Sequence, residues 1–183
     1  MSNNLAPEMF DVLDEHGAFT GEIASRKECH EKGLWHKAVS LTILNKDKDK
    51  VLLQLRAKDR KLWPNLWDNT AGGHVDAGEW GYETVVRETA EELGVTIDPH
   101  KMIFIGATSS DETSPGMINR HFNEYYVTFQ DVDLADIKLQ DAEVADIKWF
   151  DVSDLKDRIR NNYDGLTRKD DYWQYLLKYL EAQ

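Results

Sequence analysis

Cysteine is almost absent: Cys29 stands alone in 183 residues, so no disulfide can form within the chain and a reducing compartment is the expected setting. Positive charge is also short. Lys and Arg number 22 against 34 Asp and Glu, a formal net charge of -12, which argues against a binder of nucleic-acid polymers, because those proteins displace counterions from phosphates with basic patches. No stretch approaches the roughly 18 apolar residues that a membrane-spanning helix needs, so no membrane partner is expected. The opening MSNNLAPEMF lacks the basic segment and apolar run of a secretory signal, and no internal repeat or low-complexity tract is present. Together these absences predict a cytoplasmic protein whose acidic composition must admit an anionic substrate through a local positive field.

The length suits one domain with a substantial core and leaves a second one cramped. The expected organisation is a single domain, 1–183, with residues 1–35 as an N-terminal hairpin extension and 36–183 as the core. Met9 to Asp14 and Gly21 to Ala24 flank the turn-forming Glu15-His16-Gly17. His36 to Leu44 and Val51 to Leu55 read as a hairpin across the charged Asn45 to Lys50. Met102 to Ala107 and Phe122 to Phe129 read as strands separated by a loop, Ser109 to Asn119, long enough to reach over a site. Ile147 to Phe150 suggests a last strand, Ser153 a cap of a short helix, and Thr167 with Asp170 a capping box before a terminal amphipathic helix. That mixture predicts an α/β fold, a mixed sheet with helices on both faces. The terminal helix carries Tyr172, Trp173, Leu176, Leu177 and Leu180, a stripe that either packs on its own domain or joins a second copy in a homodimer.

The chemistry concentrates in one stretch, GGHVDAGEWGYETVVRETAEELGV from Gly72 onward. On a helix at about 100° per residue, Glu88, Glu91 and Glu92 fall on one face, because they are related as i, i+3 and i+4. Tyr82, Val86, Thr89, Ala90 and Leu93 lie on a separate arc that is expected to pack. Arg87, four residues after Glu83 and four before Glu91, can brace a carboxylate but cannot neutralise the cluster. A hard divalent cation can: magnesium takes oxygen ligands and is usually held by one or two carboxylates together with substrate phosphates. A plain solvated helix face is the competing reading, but the preceding Gly72-Gly73, the Gly78-Glu79 turn and Gly94 at a helix C-terminus form a strand, loop and capped acidic helix that favour a metal-phosphate site. Arg56, Lys58, Arg60 and Lys61, just upstream, are candidates for the positive field.

Gly73, Glu79, Arg87, Glu88, Glu91, Glu92 and Gly94 have the spacing of the Nudix box, and the stretch resembles that signature. With a background of roughly 7 per cent per position, such a match arises by accident on the order of once in a hundred million starts. Thr89 departs from the pattern, standing where an aliphatic residue is usual. The resemblance implies a Nudix-like α/β/α sandwich and magnesium, or manganese in its place, on Glu88 and Glu92 with Glu91 assisting. It implies structural roles for Gly73, Glu79 and Arg87. Outside the box, HEKGLWHKAVSLTILN and VLLQLRAKDRKLWPNLWDNTAGGH resemble the branch related to isopentenyl diphosphate isomerase. That isomerase relies on a cysteine, and Gly72 holds its place here. His30, His36 and His74 match histidines that bind the isomerase's metal, Glu124 matches a catalytic glutamate, and Phe122 stands where a second liganding glutamate would be. Hydrogen-bonded structural histidines are the competing reading. Arg56 and Arg60 match residues that hold the diphosphate.

These readings converge on a magnesium-dependent hydrolase cleaving a phosphoanhydride bond in a small organic, nucleoside-linked diphosphate. The candidate general bases are Glu91, Glu124 and Glu143, with Arg87 as a brace. Arg56, Arg60 and Gly73 are placed at the phosphates. Trp67, like Phe122, Tyr125 and Tyr126, either stacks on a base or fills the core. Two rivals are kept: the isomerase reaction, against which the missing cysteine argues, and a nucleotide sensor that binds without turnover.

Overall fold

The computed structural model describes residues 7–114, 116–140, 142–167 and 170–183, the last range without the side chain of residue 170. Pro115 and the Asp170 half of the expected capping box fall outside what is described. Thr167 donates its hydroxyl to Asp68 at 3.1 Å.

β1 (Met9–Leu13) and β2 (Phe19–Ser25) form the expected small antiparallel hairpin, and α1 (Arg26–Lys32) follows. Ser25 opens α1 with a reciprocal capping box, its hydroxyl facing the Glu28 backbone while the Glu28 carboxylate takes the Ser25 N–H. The main sheet is mixed. β3 (His36–Leu44) pairs antiparallel with β4 (Lys50–Arg56) and β6 (Ala71–His74), and parallel with β8 (Met117–Phe129). β7 (Ile103–Ser114) lies antiparallel to β8, while β5 (Trp67–Asp68) and β9 (Val144–Asp151) pair with β4.

Alternation along β3 sends its side chains to two cores. Val39, Leu41 and Ile43 meet Val85 and Leu93 of α2 (Gly81–Leu93). Leu44 joins the opposite core with α3 (Val152–Arg160) and α4 (Asp170–Glu181), where the Thr42 hydroxyl meets Tyr172 Oη at 2.5 Å. Helices therefore cover both faces. The α4 stripe Tyr172, Trp173, Leu176, Leu177 and Leu180 is buried within the chain's own core, so it is not an open seam for a second copy.

Three expectations need correction. The segment read as a loop between Ser109 and Asn119 is largely strand: Ser110 pairs with His121, Glu112 with Asn119 and Ser114 with Met117. Ladder hydrogen bonds use backbone groups, so polar side chains do not prevent pairing, and Gly116 at φ +79° takes part in the tight reversal. The N-cap of α3 is Asp151 rather than Ser153. The packing arc of α2 is also rotated from the one expected. Tyr82 and Ala90 are exposed, while Thr84, Val85, Thr89, Glu92 and Leu93 are buried. The acidic edge thus turns partly toward the sheet. Thr89 fits the core because its hydroxyl donates to the Val85 carbonyl at 2.7 Å.

Candidate functional site

β6 and α2 build the centre of the site. Gly73 lies opposite Val39 in the sheet, and the Glu88 carboxylate occupies the space a side chain on Gly73 would need. α2 is held at its start by Glu83, which accepts from the Trp80 N–H at 2.9 Å. It ends at Gly94, whose φ of +69° is the left-handed conformation that a glycine adopts without strain. One turn beyond Glu88, Glu92 is 3 % exposed. Among the described residues its Oε2 accepts long bonds, from Gln54 Nε2 at 3.4 Å and the Gly72 N–H at 3.3 Å.

Two buried carboxylates this close are expensive to ionise. Burial, reinforced by mutual repulsion and by Glu143, pushes Glu92 up to about 8. Burial likewise pushes Glu88 up to about 7, although the Arg87 guanidinium opposes the rise. The donor set is entirely oxygen, and a glycine strand leaves it accessible. A hard divalent cation fits it, supplying the charge that the protein withholds from Glu92.

Arg87 is the brace the sequence suggests, with a wider reach than expected. Its fork donates to Glu79 at 3.3 and 3.1 Å, to Glu88 at 2.9 Å and to Glu91 at 3.4 Å, and lies 3.5 Å from Asp76. It also donates to the His74 carbonyl at 3.4 Å, tying the helix to the strand end. Burial opposes ionisation of Glu79, yet the hydrogen bond from Arg87 holds its carboxyl below the usual range. Glu91 is exposed.

At the rim, Arg60 pairs with Glu143 at 2.7 Å. The Arg56 guanidinium is engaged by Asp68 at 3.1 Å and the Leu62 carbonyl at 3.1 Å. Glu124 sits at the start of α2, where its Oε2 would lie 2.1 Å from a Cβ on Gly81. It accepts from the Tyr126 hydroxyl at 2.7 Å and faces Lys37 Nζ at 3.5 Å. Trp67 stands on the other face of the sheet, edge-on to Phe150 with ring centroids 4.9 Å apart, and Tyr125 is buried there too. Phe122 packs on Trp35.

Because side chains alternate, His74 points away from the face that Gly73 presents to Glu88. It meets His30, His36 and His121, with one ring nitrogen from each of the four within 4.8 Å of the others. Burial pushes His36 down to about 4, pushes His74 well below the ordinary histidine range, and lowers His30. Sequence reasoning missed His121, Asp76, Gln54 and Lys37. Only strand register, which places His121 opposite His36 and Lys37 beside Phe122 and Glu124, could have found the first and last of these.

The NUDIX domain family matches residues 34–169. A Nudix hydrolase of Clostridium acetobutylicum, itself described as uncharacterized, is 31% identical over 161 residues, covering 87% of this chain and 77% of that protein. An isopentenyl-diphosphate Delta-isomerase of Escherichia coli is 30% identical over 142 residues, covering 78% and 76% respectively. Nudix hydrolase 3 of Arabidopsis thaliana is 37% identical over 125 residues, 67% of this chain, but the matched stretch spans only 16% of that longer protein. Among solved structures, the DR0079 protein of Deinococcus radiodurans shares the fold at a TM-score of 0.67 and 20% identity, covering 96% of this chain and 98% of that one. Among the described residues no helix is long and apolar enough to cross a membrane. Box, fold and relatives agree: the chain belongs to the Nudix family, as an enzyme of the pyrophosphohydrolase type related in sequence to both the hydrolases and the isomerases of that family.

Proposed function

We propose that this protein hydrolyses a phosphoanhydride bond in an organic diphosphate, a nucleoside diphosphate derivative, with magnesium as the cation and manganese as a substitute. The observation that carries the reading is the pair Glu88 and Glu92 set against the Gly72-Gly73 strand, Glu88 braced by Arg87 at 2.9 Å and the buried Glu92 accepting long hydrogen bonds. Glu88 and Glu92 would hold the cation, with Glu91 at the exposed edge as an additional or water-mediated ligand. When bound, the cation supplies Lewis acidity and offsets the charge of the diphosphate.

The remaining work falls to the chain itself. Gly73, having no side chain, makes room beside the strand for the Glu88 carboxylate. Arg60 reaches nonbridging oxygens by exchanging its pairing with Glu143, and the guanidinium hydrogens of Arg56 left over from Asp68 and Leu62 assist. That exchange frees the Glu143 carboxylate, whose charge is felt by both Glu88 and Glu92, to accept a proton from the attacking water. Glu143 is therefore favoured as general base over Glu124, already engaged by Tyr126 and Lys37, and over Glu91, exposed beside Arg87. Phe104, exposed and edge-on to Tyr126 with centroids 5.7 Å apart, offers a stacking surface for a base.

Gly72 weighs against the isomerase reading. A Cβ there would lie 2.5 Å from the Val39 carbonyl oxygen, so the strand as built has no room for the cysteine that reaction needs. The deciding experiment is a screen of nucleoside diphosphate derivatives with magnesium, reading monophosphate or phosphate release by mass, beside folded Glu92→Gln. Turnover by the parent and none by the variant is expected. Binding without turnover by the parent would instead support a sensor.

A further inference from the structure

The histidine cluster lies outside the chemistry proposed above and has its own geometry. His36 is fully buried, and its Nδ1 lies 2.8 Å from the Leu34 carbonyl oxygen. A carbonyl only accepts, so Nδ1 carries the proton and Nε2 presents a bare lone pair. That Nε2 is buried with no hydrogen-bond partner, as is the Nε2 of His30. His74 Nε2 and His121 Nε2 face each other at 3.2 Å. Orphaned buried polar atoms are costly, and here two nitrogens converge with a further pair of imidazole nitrogens. All four atoms lie within 4.8 Å of one another; a tetrahedral ion with metal–nitrogen bonds of about 2.0–2.1 Å needs them roughly 3.3 Å apart.

We propose that His30, His36, His74 and His121 form a closed four-imidazole site for one zinc ion, which fastens the N-terminal hairpin and α1 to the main sheet. The ligands come from α1, β3, β6 and β8, so one ion ties residues distant in sequence. Phe10, from β1, covers the site by stacking on His36 and His74 at centroid distances of 5.0 Å. The Leu34 carbonyl is the outer partner that orients His36, as metal-bound histidines generally require. The ligand set differs from the histidine-and-carboxylate arrangement that the isomerase resemblance implies. Glu124 is turned to the opposite face by strand alternation, Phe122 carries no ligand atom, and His121 supplies the fourth nitrogen. Nitrogen donors in tetrahedral reach favour zinc over magnesium, which prefers oxygen. Alternation puts this ion on the other side of β6 from Glu88, leaving the two metal functions separate.

The test uses the untagged full chain, stripped with a chelator and returned to zinc in excess magnesium. We expect one zinc per chain by elemental analysis, a raised melting temperature, and slower proteolysis within residues 1–35. Cobalt in place of zinc should give the intense visible bands of a tetrahedral nitrogen site. His121→Gln and His30→Gln, with parent-like circular dichroism, should bind zinc more than 100-fold more weakly and lose the thermal gain, whereas Glu92→Gln should keep both. Unchanged zinc affinity in the histidine variants, loss of zinc in Glu92→Gln, or failure of the parent to bind zinc would each overturn the site. Should the variants not fold, the cobalt spectrum of the parent decides, and the weak bands of an octahedral ion would refute it.

Discussion

A Cβ added to Gly73 would stand 2.2 Å from Glu88 Oε1, so the helix carboxylate and the strand glycine share one volume. Gly73→Ala should therefore displace Glu88 at little cost to the fold, because every atom the new Cβ meets belongs to the far end of that side chain. Activity should fall on the order of 100-fold or more, because a misplacement of about 1 Å is enough for that. Kinetics at saturating magnesium, beside a urea melt, check the expectation. Activity within about twofold of the parent would mean that Glu88 is not positioned by this contact.

Glu92 and Glu88 make the metal-free protein sensitive to pH. Their carboxyls rise to about 8 and about 7 in the fold from a reference value of 4.5, so between roughly 4.5 and 8 the native state holds protons that the unfolded chain has released. Stability is then lost as pH rises through that window, the reverse of an ion-paired carboxylate. The buried histidines, held below their reference value of 6.5, act in the opposite sense at lower pH, so melting temperature in chelator should decline from about pH 7 to pH 8, and Glu92→Gln should flatten that decline. Magnesium should flatten it as well, with proton release on binding visible by calorimetry in buffers of different ionisation enthalpy. A melting temperature that climbs between about pH 7 and pH 8 in chelator would contradict the burial of Glu92.

Arg87 spans Glu79, Glu88 and Glu91 with a planar fork, a geometry that a lysine ammonium cannot reproduce. Arg87→Lys should lose about 1.5–3 kcal/mol through its charged hydrogen bonds and weaken magnesium affinity as Glu88 becomes free to rotate. Denaturant melts with a parallel magnesium titration measure both. Loss of stability with unaltered affinity would confine Arg87 to bracing the fold.

Gly72→Cys tests whether the isomerase reaction is one residue away. With the Val39 carbonyl oxygen 2.5 Å from the new Cβ, the variant should be destabilised by about 1–3 kcal/mol. It should produce no dimethylallyl diphosphate from isopentenyl diphosphate in a product assay by mass. Formation of that isomer would show that the strand yields readily and that the chemistry was lost through the side chain alone.

The proposed metal-phosphate site could be read from the sequence because its residues are local. Glu88, Glu91 and Glu92 share a helix edge by angular spacing, Arg87 reaches them along the same helix, and Gly73 and Gly94 mark where strand and helix begin and end. The strands of the His36 to Leu44 hairpin declared themselves through β-branched runs. Ser109 to Ser114 did not, because an edge strand with a solvent-facing side chain at every second position can be polar while its backbone still pairs. The inward turn of Glu92 escaped as well. Helical spacing tells which residues share a face but not which partner that face meets.

The identity of the helix edge, the glycine strand beside it and the family followed from the order of residues, since each is set by neighbours within a few turns of chain. Tertiary structure decided whatever depends on which strands lie side by side: that His121 joins His36 and His74, that Trp67 faces away from the carboxylates, and that Glu143 reaches Arg60. Register and the two-residue alternation of a sheet place side chains on one face or the other, and neither is settled until distant segments have paired.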